Sequence, residues 1–200
     1  MGFDPTSFAI GKASGGGGGG VGGTLAEEWD FTSATPLVGK KLGITLTSSN
    51  VEFSQDGATF NQTSSKIAFE NFGCADLFHK VSYSSITIEA KVKTMSLQSG
   101  THRRFVMGSG DNGLIYRSTG VWAFFSKTWQ DFSETDGALF DNSVVKVVID
   151  ADEKWHVYKD NVLMWEPGKS QNITAGSLGS GATGINNAVI EWLKIEAVTA

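Results

Sequence analysis

Between Ser85 and Met95 the chain alternates: Ile86, Ile88, Ala90 and Val92 are apolar, and Thr87, Glu89, Lys91 and Lys93 between them are polar. A strand turns successive side chains to opposite faces, so this spacing predicts a strand with one buried and one wet face. The same short period, or short β-branched runs, predicts strands near Glu27–Thr32, Gly43–Thr47, Val51–Phe53, Thr59–Asn61 and Lys66–Phe69 before it. After it come Arg103–Met107, Leu114–Arg117, Val121–Ser126, Val144–Asp150, Lys154–Lys159, Val162–Trp165, Ile173–Leu178 and Val189–Val198. Gly, Asn, Asp and Ser punctuate the runs, and Asp160-Asn161 suits a tight hairpin because both residues tolerate positive φ. Helical periodicity is almost absent. Roughly a dozen short strands imply two packed antiparallel sheets, since one open sheet that large would expose its edges and a whole face.

Ahead of this body lies a glycine run, Gly15 to Gly23, broken only by Val21. Glycine loses the most backbone entropy on ordering, so the run reads as a tether that spans about 20 Å as a flexible coil. No Gly-X-Y period supports collagen, and no strand-to-helix context supports a phosphate cradle. The expected organisation is an N-terminal peptide over residues 1–14, a linker over 15–26 and an all-β head over 27–200. Phe3, Phe8 and Ile10 are too few to bury one another, so they are candidate anchors that dock on a partner.

The formal charge is −5, with basic clusters only at Lys40-Lys41 and His102-Arg103-Arg104, which read as solvated loop or strand-end residues. That balance argues against a backbone-driven nucleic-acid binder. Cys74 is the only cysteine, which excludes an internal disulfide and a cysteine-rich metal site. There is no twenty-residue apolar run and no signal-peptide pattern, so the expectation is a protein made and folded in a cytoplasm, with no membrane partner.

Two resemblances follow. Phe3-Asp4-Pro5-Thr6-Ser7-Phe8-Ala9-Ile10-Gly11-Lys12-Ala13-Ser14 and its glycines resemble the leader of many predicted structural proteins of tailed bacteriophages. This implies a virion protein whose N-terminal peptide docks on capsid or tail proteins; because three such side chains bind weakly singly, a homo-oligomer that presents several peptides is expected. The body, through Trp29-Asp30-Phe31, Gln55–Phe60, Ser85–Val92, Val145–Asp150, Trp155–Leu163 and Ile190–Ile195, resembles the concanavalin A-like, laminin-G-like jelly roll. That resemblance implies a two-sheet antiparallel jelly-roll sandwich. It also implies a glycoside hydrolase, a lectin or a plain adhesion module, and the choice lies with the site.

Hydrolases of this architecture carry two glutamates flanking an aspartate, because bond cleavage needs an acid and a nucleophile on opposite sides. Glu134-Thr135-Asp136 begins that pattern, but Gly137, Ala138 and Leu139 follow, so no catalytic residue is assigned. Gly108–Gly113 spells a dinucleotide fingerprint, yet Leu114-Ile115-Tyr116 continues as strand, so a hairpin loop is expected. His79, His102 and His156 are too scattered for zinc. Calcium remains open through the loop residues Asp111, Asn112, Asp136, Asp150 and Asp152, although turn chemistry explains them as well. Trp122, Phe124 and Phe125 are expected in the core, as are Trp155, Trp165 and Trp192. Trp129, in a loop beyond them with Lys127 and Asp131, is the leading ligand contact. Sugars offer apolar C–H faces to indoles, and charged or amide neighbours bond their hydroxyls.

Overall fold

Ser85–Met95 lies within the strand β6 (Tyr83–Met95) of a computed structural model, which describes residues 23–69, 83–108, 112–167, 176–180 and 183–199. Its neighbours are β11 (Val144–Asp150) and β15 (Ala188–Thr199), both antiparallel. Ile88 stands between Val147 on one side and Ile195 on the other, and Ala90 between Val145 and Leu193. Facing residues share a side of the sheet, so these rows form a continuous apolar layer. Ile86, Ile88, Ala90, Val92, Val145, Val147 and Ile149 are all buried, as the alternation predicted.

The first sheet continues outward on the β11 side through β12 (Trp155–Lys159) to β13 (Val162–Trp165). On the other side β15 pairs with β4 (Gly57–Phe60) near its start and with β1 (Thr24–Asp30) along its later half. Strand β3 (Glu52–Ser54) closes that edge. The second sheet contains β2 (Thr47–Ser49), β5 (Lys66–Ala68), β7 (Arg103–Met107), β8 (Gly113–Tyr116), β9 (Trp122–Ser126), β10 (Thr128–Asp131) and β14 (Ser177–Gly179). Its strand order is β10-β9-β8-β7-β14-β5-β2. Between the sheets lie Trp29, Phe31, Phe60, Phe105, Trp122, Phe140 and Trp155, all fully buried. The described residues contain no α-helix, and the molecule is an all-β antiparallel sandwich of two sheets.

Three boundaries differ from expectation. Strand β1 begins at Thr24, within the stretch read as linker, because Thr24 to Asp30 pairs residue by residue with Val198 to Trp192. Of the expected strand Gly43–Thr47, Thr47 opens β2, while residues 43–46 form an irregular loop with one bridge, Val38 to Thr45. The cause is Glu27: its fully buried carboxylate accepts the amides of Lys41 at 2.8 Å, Leu42 at 2.7 Å and Ile44 at 3.4 Å, which curls that backbone round it. Gly43, at φ 70°, supplies the left-handed step. Of the described residues of Ile173–Leu178, Gly176 lies outside a strand and Ser177 and Leu178 are strand, while residues 168–175 lie outside those described. The Asp160-Asn161 hairpin forms as read, with φ 49° and 65°. Phe3, Phe8, Ile10, the glycine run up to Gly22, Cys74 and His79 lie outside the described residues.

Candidate functional site

Strands β9 and β10 are joined through the single residue Lys127, which adopts φ 60°. A lysine held in this left-handed region is strained, and such strain collects where a chain must turn sharply for a purpose. The turn sets the register: Trp129 faces Phe125, and Asp131 faces Ala123. Across β8 and β7 the rows continue as Trp129, Phe125, Gly113, Met107 and as Asp131, Ala123, Ile115, Arg104. The alternate residues Tyr116, Leu114, Trp122 and Phe124 belong to the core, so both rows lie on the outer side of the second sheet. Met107, Ile115 and Ala123 are nonetheless buried there, and Trp129 emerges beyond them on the edge strand, 37 % exposed.

Three side chains hold that indole. His102 is stacked on it with ring centres 5.0 Å apart and planes at 28°. Phe125 meets it at 4.7 Å, tilted by 49°. The guanidinium carbon of Arg117 sits over the ring at 4.5 Å from the centre, a cation–π contact. Arg117 is fixed in turn by Asp131, with Nη1 2.6 Å from Oδ1 and 2.5 Å from Oδ2. His102 is oriented by the backbone N–H of Ser118, which donates to Nδ1 at 3.2 Å. The neutral ring therefore carries its proton on Nε2. Burial, then the charges of Arg117 and Arg104, hold the His102 pKa below its usual value, so the ring is neutral at pH 7.

Sequence reasoning named Trp129, Asp131 and Lys127, and the structure places all three on one hairpin. Asp131 serves as the counter-ion of Arg117, while Lys127 is exposed at the tip. The loop expected around Trp129 is instead strand β10, paired with β9 along its whole length. Phe125, expected in the core, is half-buried on the outer side, whereas Phe124 is core. Among the other expected core tryptophans, Trp122 and Trp155 are fully buried, and Trp165 is half-buried in a parallel stack on Phe132 at 4.3 Å. Trp192 is also half-buried. Sequence reasoning missed His102 and Arg117. Their signal lay in the strand pair β7–β8, whose register carries the residue before Arg103 beside the residue after Tyr116. The basic cluster is not a solvated strand end either: Arg103 is only 8 % exposed, because it faces Tyr116 on the inner side of the sheet.

The alternative chemistries resolve locally. Strands β7 and β8 pair from Met107 to Gly113, and Gly108 donates to the carbonyl of Asn112 at 2.9 Å, so the fingerprint's described ends join two antiparallel strands rather than a strand and a helix; residues 109–111 lie outside those described. Glu134 accepts the amide of Asp136, and Asp136 that of Ala138, which makes both of them turn caps. Asp150 accepts the amides of Asp152 and Lys154 through Oδ1 and meets His156 through Oδ2 at 3.1 Å. Burial pushes its pKa up, but these bonds outweigh that and hold it below the usual range. Among the described residues no three His, Cys, Asp or Glu side chains gather in a group that could hold a metal, and Asp111 lies outside them.

No protein-family model and no curated protein matches the chain. Solved structures do. The sialidase of Trypanosoma rangeli, solved with the inhibitor DANA, has a TM-score of 0.62 at 14 % identity over 84 % of this chain and 30 % of its own. The receptor-binding domain of botulinum neurotoxin C/D mosaic serotype has a TM-score of 0.51 at 12 % identity, over 86 % of this chain and 46 % of its own. A protein of unknown function from Shewanella oneidensis MR-1 gives 0.52 at 14 % identity, over 88 % and 87 %. This chain thus spans less than a third of the sialidase and most of the Shewanella protein. At such identities the likeness shows the fold alone. With the two-sheet topology it defines a jelly-roll β-sandwich of the concanavalin A-like kind.

Proposed function

We propose that this chain is a non-catalytic display protein whose jelly-roll head binds saccharides on the outer edge of its second sheet. One observation carries the reading: an edge-strand tryptophan, 37 % exposed, is backed by His102, Phe125 and Arg117 rather than packed into the core. An indole already held by its neighbours loses little further entropy when a sugar packs on its exposed part, and the polar atoms beside it give orientation. Lys127, Asp131 and the Nε2–H of His102 supply those atoms. Replacing Trp129 by Ala should weaken saccharide binding by about 1–3 kcal/mol, the scale of other aromatic stacking contacts, with an unchanged melting temperature. Calorimetric titration of both proteins with a bound oligosaccharide checks this, and equal affinities would return Trp129 to a packing role.

The location we propose is the virion of a tailed phage, with the head carried through the glycine tether by a peptide that docks on capsid or tail proteins. The leader from Phe3 to Ser14 and the glycine run support it. The alternative is a soluble bacterial carbohydrate-binding module, which would use the same platform and need no docking peptide. A hydrolase is disfavoured because Glu134 and Asp136 are occupied as turn caps.

A further inference from the structure

Around the Trp129 platform the charge has one prevailing sign. Arg117 lies over the indole, Arg104 shares the outer row that ends at Asp131, and Lys127 stands at the hairpin tip. Burial first, then the charges of Arg117 and Arg104, bias His102 against protonation, so both arginine fields reach the ring that backs Trp129. Beneath them Arg103 is 8 % exposed on the inner side of the same strand, and neither its Nε nor its Nη1 has a hydrogen-bond partner. Buried polar groups are almost always bonded, so two unbonded guanidinium nitrogens on an inner row are unusual. A buried charge is also poorly screened, so its field extends to the platform side of the strand. All this occurs in a chain of net charge −5. Asp131 is the carboxylate set against Arg117, and it engages Nη1 only; Nη2 makes no bond among the described residues.

Taking the saccharide reading as its basis, we infer that the platform selects acidic saccharides, those carrying a carboxylate or a sulfate beside the ring that stacks on Trp129. The anionic group would accept from Arg117 Nη2–H and His102 Nε2–H, both donors without any ability to accept, while the sugar packs on the exposed part of the indole. A neutral sugar gains the stacking alone. The positive field would also raise the local concentration of acidic chains before contact.

The test is a printed array that holds each acidic glycan beside its neutral parent, probed with the full chain, followed by titration of the best pair at low and high sodium chloride. The expected result is a preference of tenfold or more for the acidic member at low salt, shrinking as salt rises. Uronate or sialylated features among the hits would identify a carboxylate, and sulfated features a sulfate. Arg117→Gln should cut the preference to about twofold or less, and Asp131→Asn should increase it, because the competing carboxylate is gone. A merely structural role for this ion pair would move both variants the same way. Melting curves confirm that each variant is folded. Neutral parents bound within twofold of their acidic partners, or a preference lowered by Asp131→Asn, would overturn the inference and leave the saccharide reading intact. Binding to no feature on the array would overturn both.

Discussion

Glu27 shows how one residue governs a region. Its side chain points into the sandwich from β1, fully buried, and accepts four backbone amides: Glu28 at 2.9 Å, Lys41, Leu42 and Ile44. Burial alone would raise its pKa, but the four amides outweigh it and hold the carboxyl below its ordinary 4.5. Gly39 is packed so closely against it that a Cβ there would lie 2.2 Å from the carboxyl carbon. Because the folded pKa is depressed, the stabilisation is fully present above about 4.5 and is lost as pH falls through the folded value. Glu27→Gln should therefore cost about 1–3 kcal/mol at pH 7, since the amide turns a donor toward backbone donors and leaves one unpaired. The variant should also lose part of the acid sensitivity. Urea unfolding of both proteins at pH 7 and pH 4 measures the two effects, and equal midpoints at pH 7 would remove Glu27 from this role. Nothing in the sequence announces it, because a glutamate beside a second glutamate at a strand start reads as surface.

At the scale of elements, the central strands were legible and the hairpin bearing the candidate site was not. Strand β6 follows a strict period of two, and its inner positions are those that the alternation marks. Ile88 lies between Val147 and Ile195, so Ile88→Ala should cost about 2–5 kcal/mol through lost burial and a cavity. Lys91, whose ammonium bonds the Asn142 carbonyl at the surface, should cost under about 0.5 kcal/mol on truncation to Ala. Chemical denaturation of the two variants tests the contrast, and similar losses would contradict the assigned faces. Strand β10 has no such pattern: Thr128, Trp129, Gln130 and Asp131 are all exposed, and Lys127 is not a residue that signals a left-handed turn. Its strand character comes from pairing with β9, which is tertiary information. Arg103 breaks the pattern in the opposite sense, a charged residue on an inner row, which binary patterning assigns outward. Local rules failed in both places within the same corner of the molecule, the one where we propose that saccharide binds.

The whole molecule, as we propose it, joins a head stabilised by long-range pairing to a leader that acts independently of it. Strand β1 is held along its full length by β15, from Thr24 opposite Val198 to Asp30 opposite Trp192, so the head is closed off immediately after the glycines. In that reading a glycine tether with a reach of about 20 Å would let Phe3, Phe8 and Ile10 engage a partner without constraining the sheets. Burying three such side chains supplies about 1.5–3 kcal/mol each before ordering costs, so a single peptide would bind weakly. Several copies on a symmetric oligomer would bind well, because each engaged peptide raises the effective concentration of the next. The same multiplication would apply to weak saccharide contacts at Trp129, so one assembly would strengthen both ends of the protein. Deleting Met1 to Lys12 should leave the melting temperature of the head and its affinity for a monovalent oligosaccharide unchanged, while abolishing incorporation into particles. Differential scanning calorimetry, a monovalent titration and electron micrographs of particles assembled with the truncated chain measure these separately. Normal incorporation would show that the leader is no anchor, and a lowered melting temperature would make it part of the head.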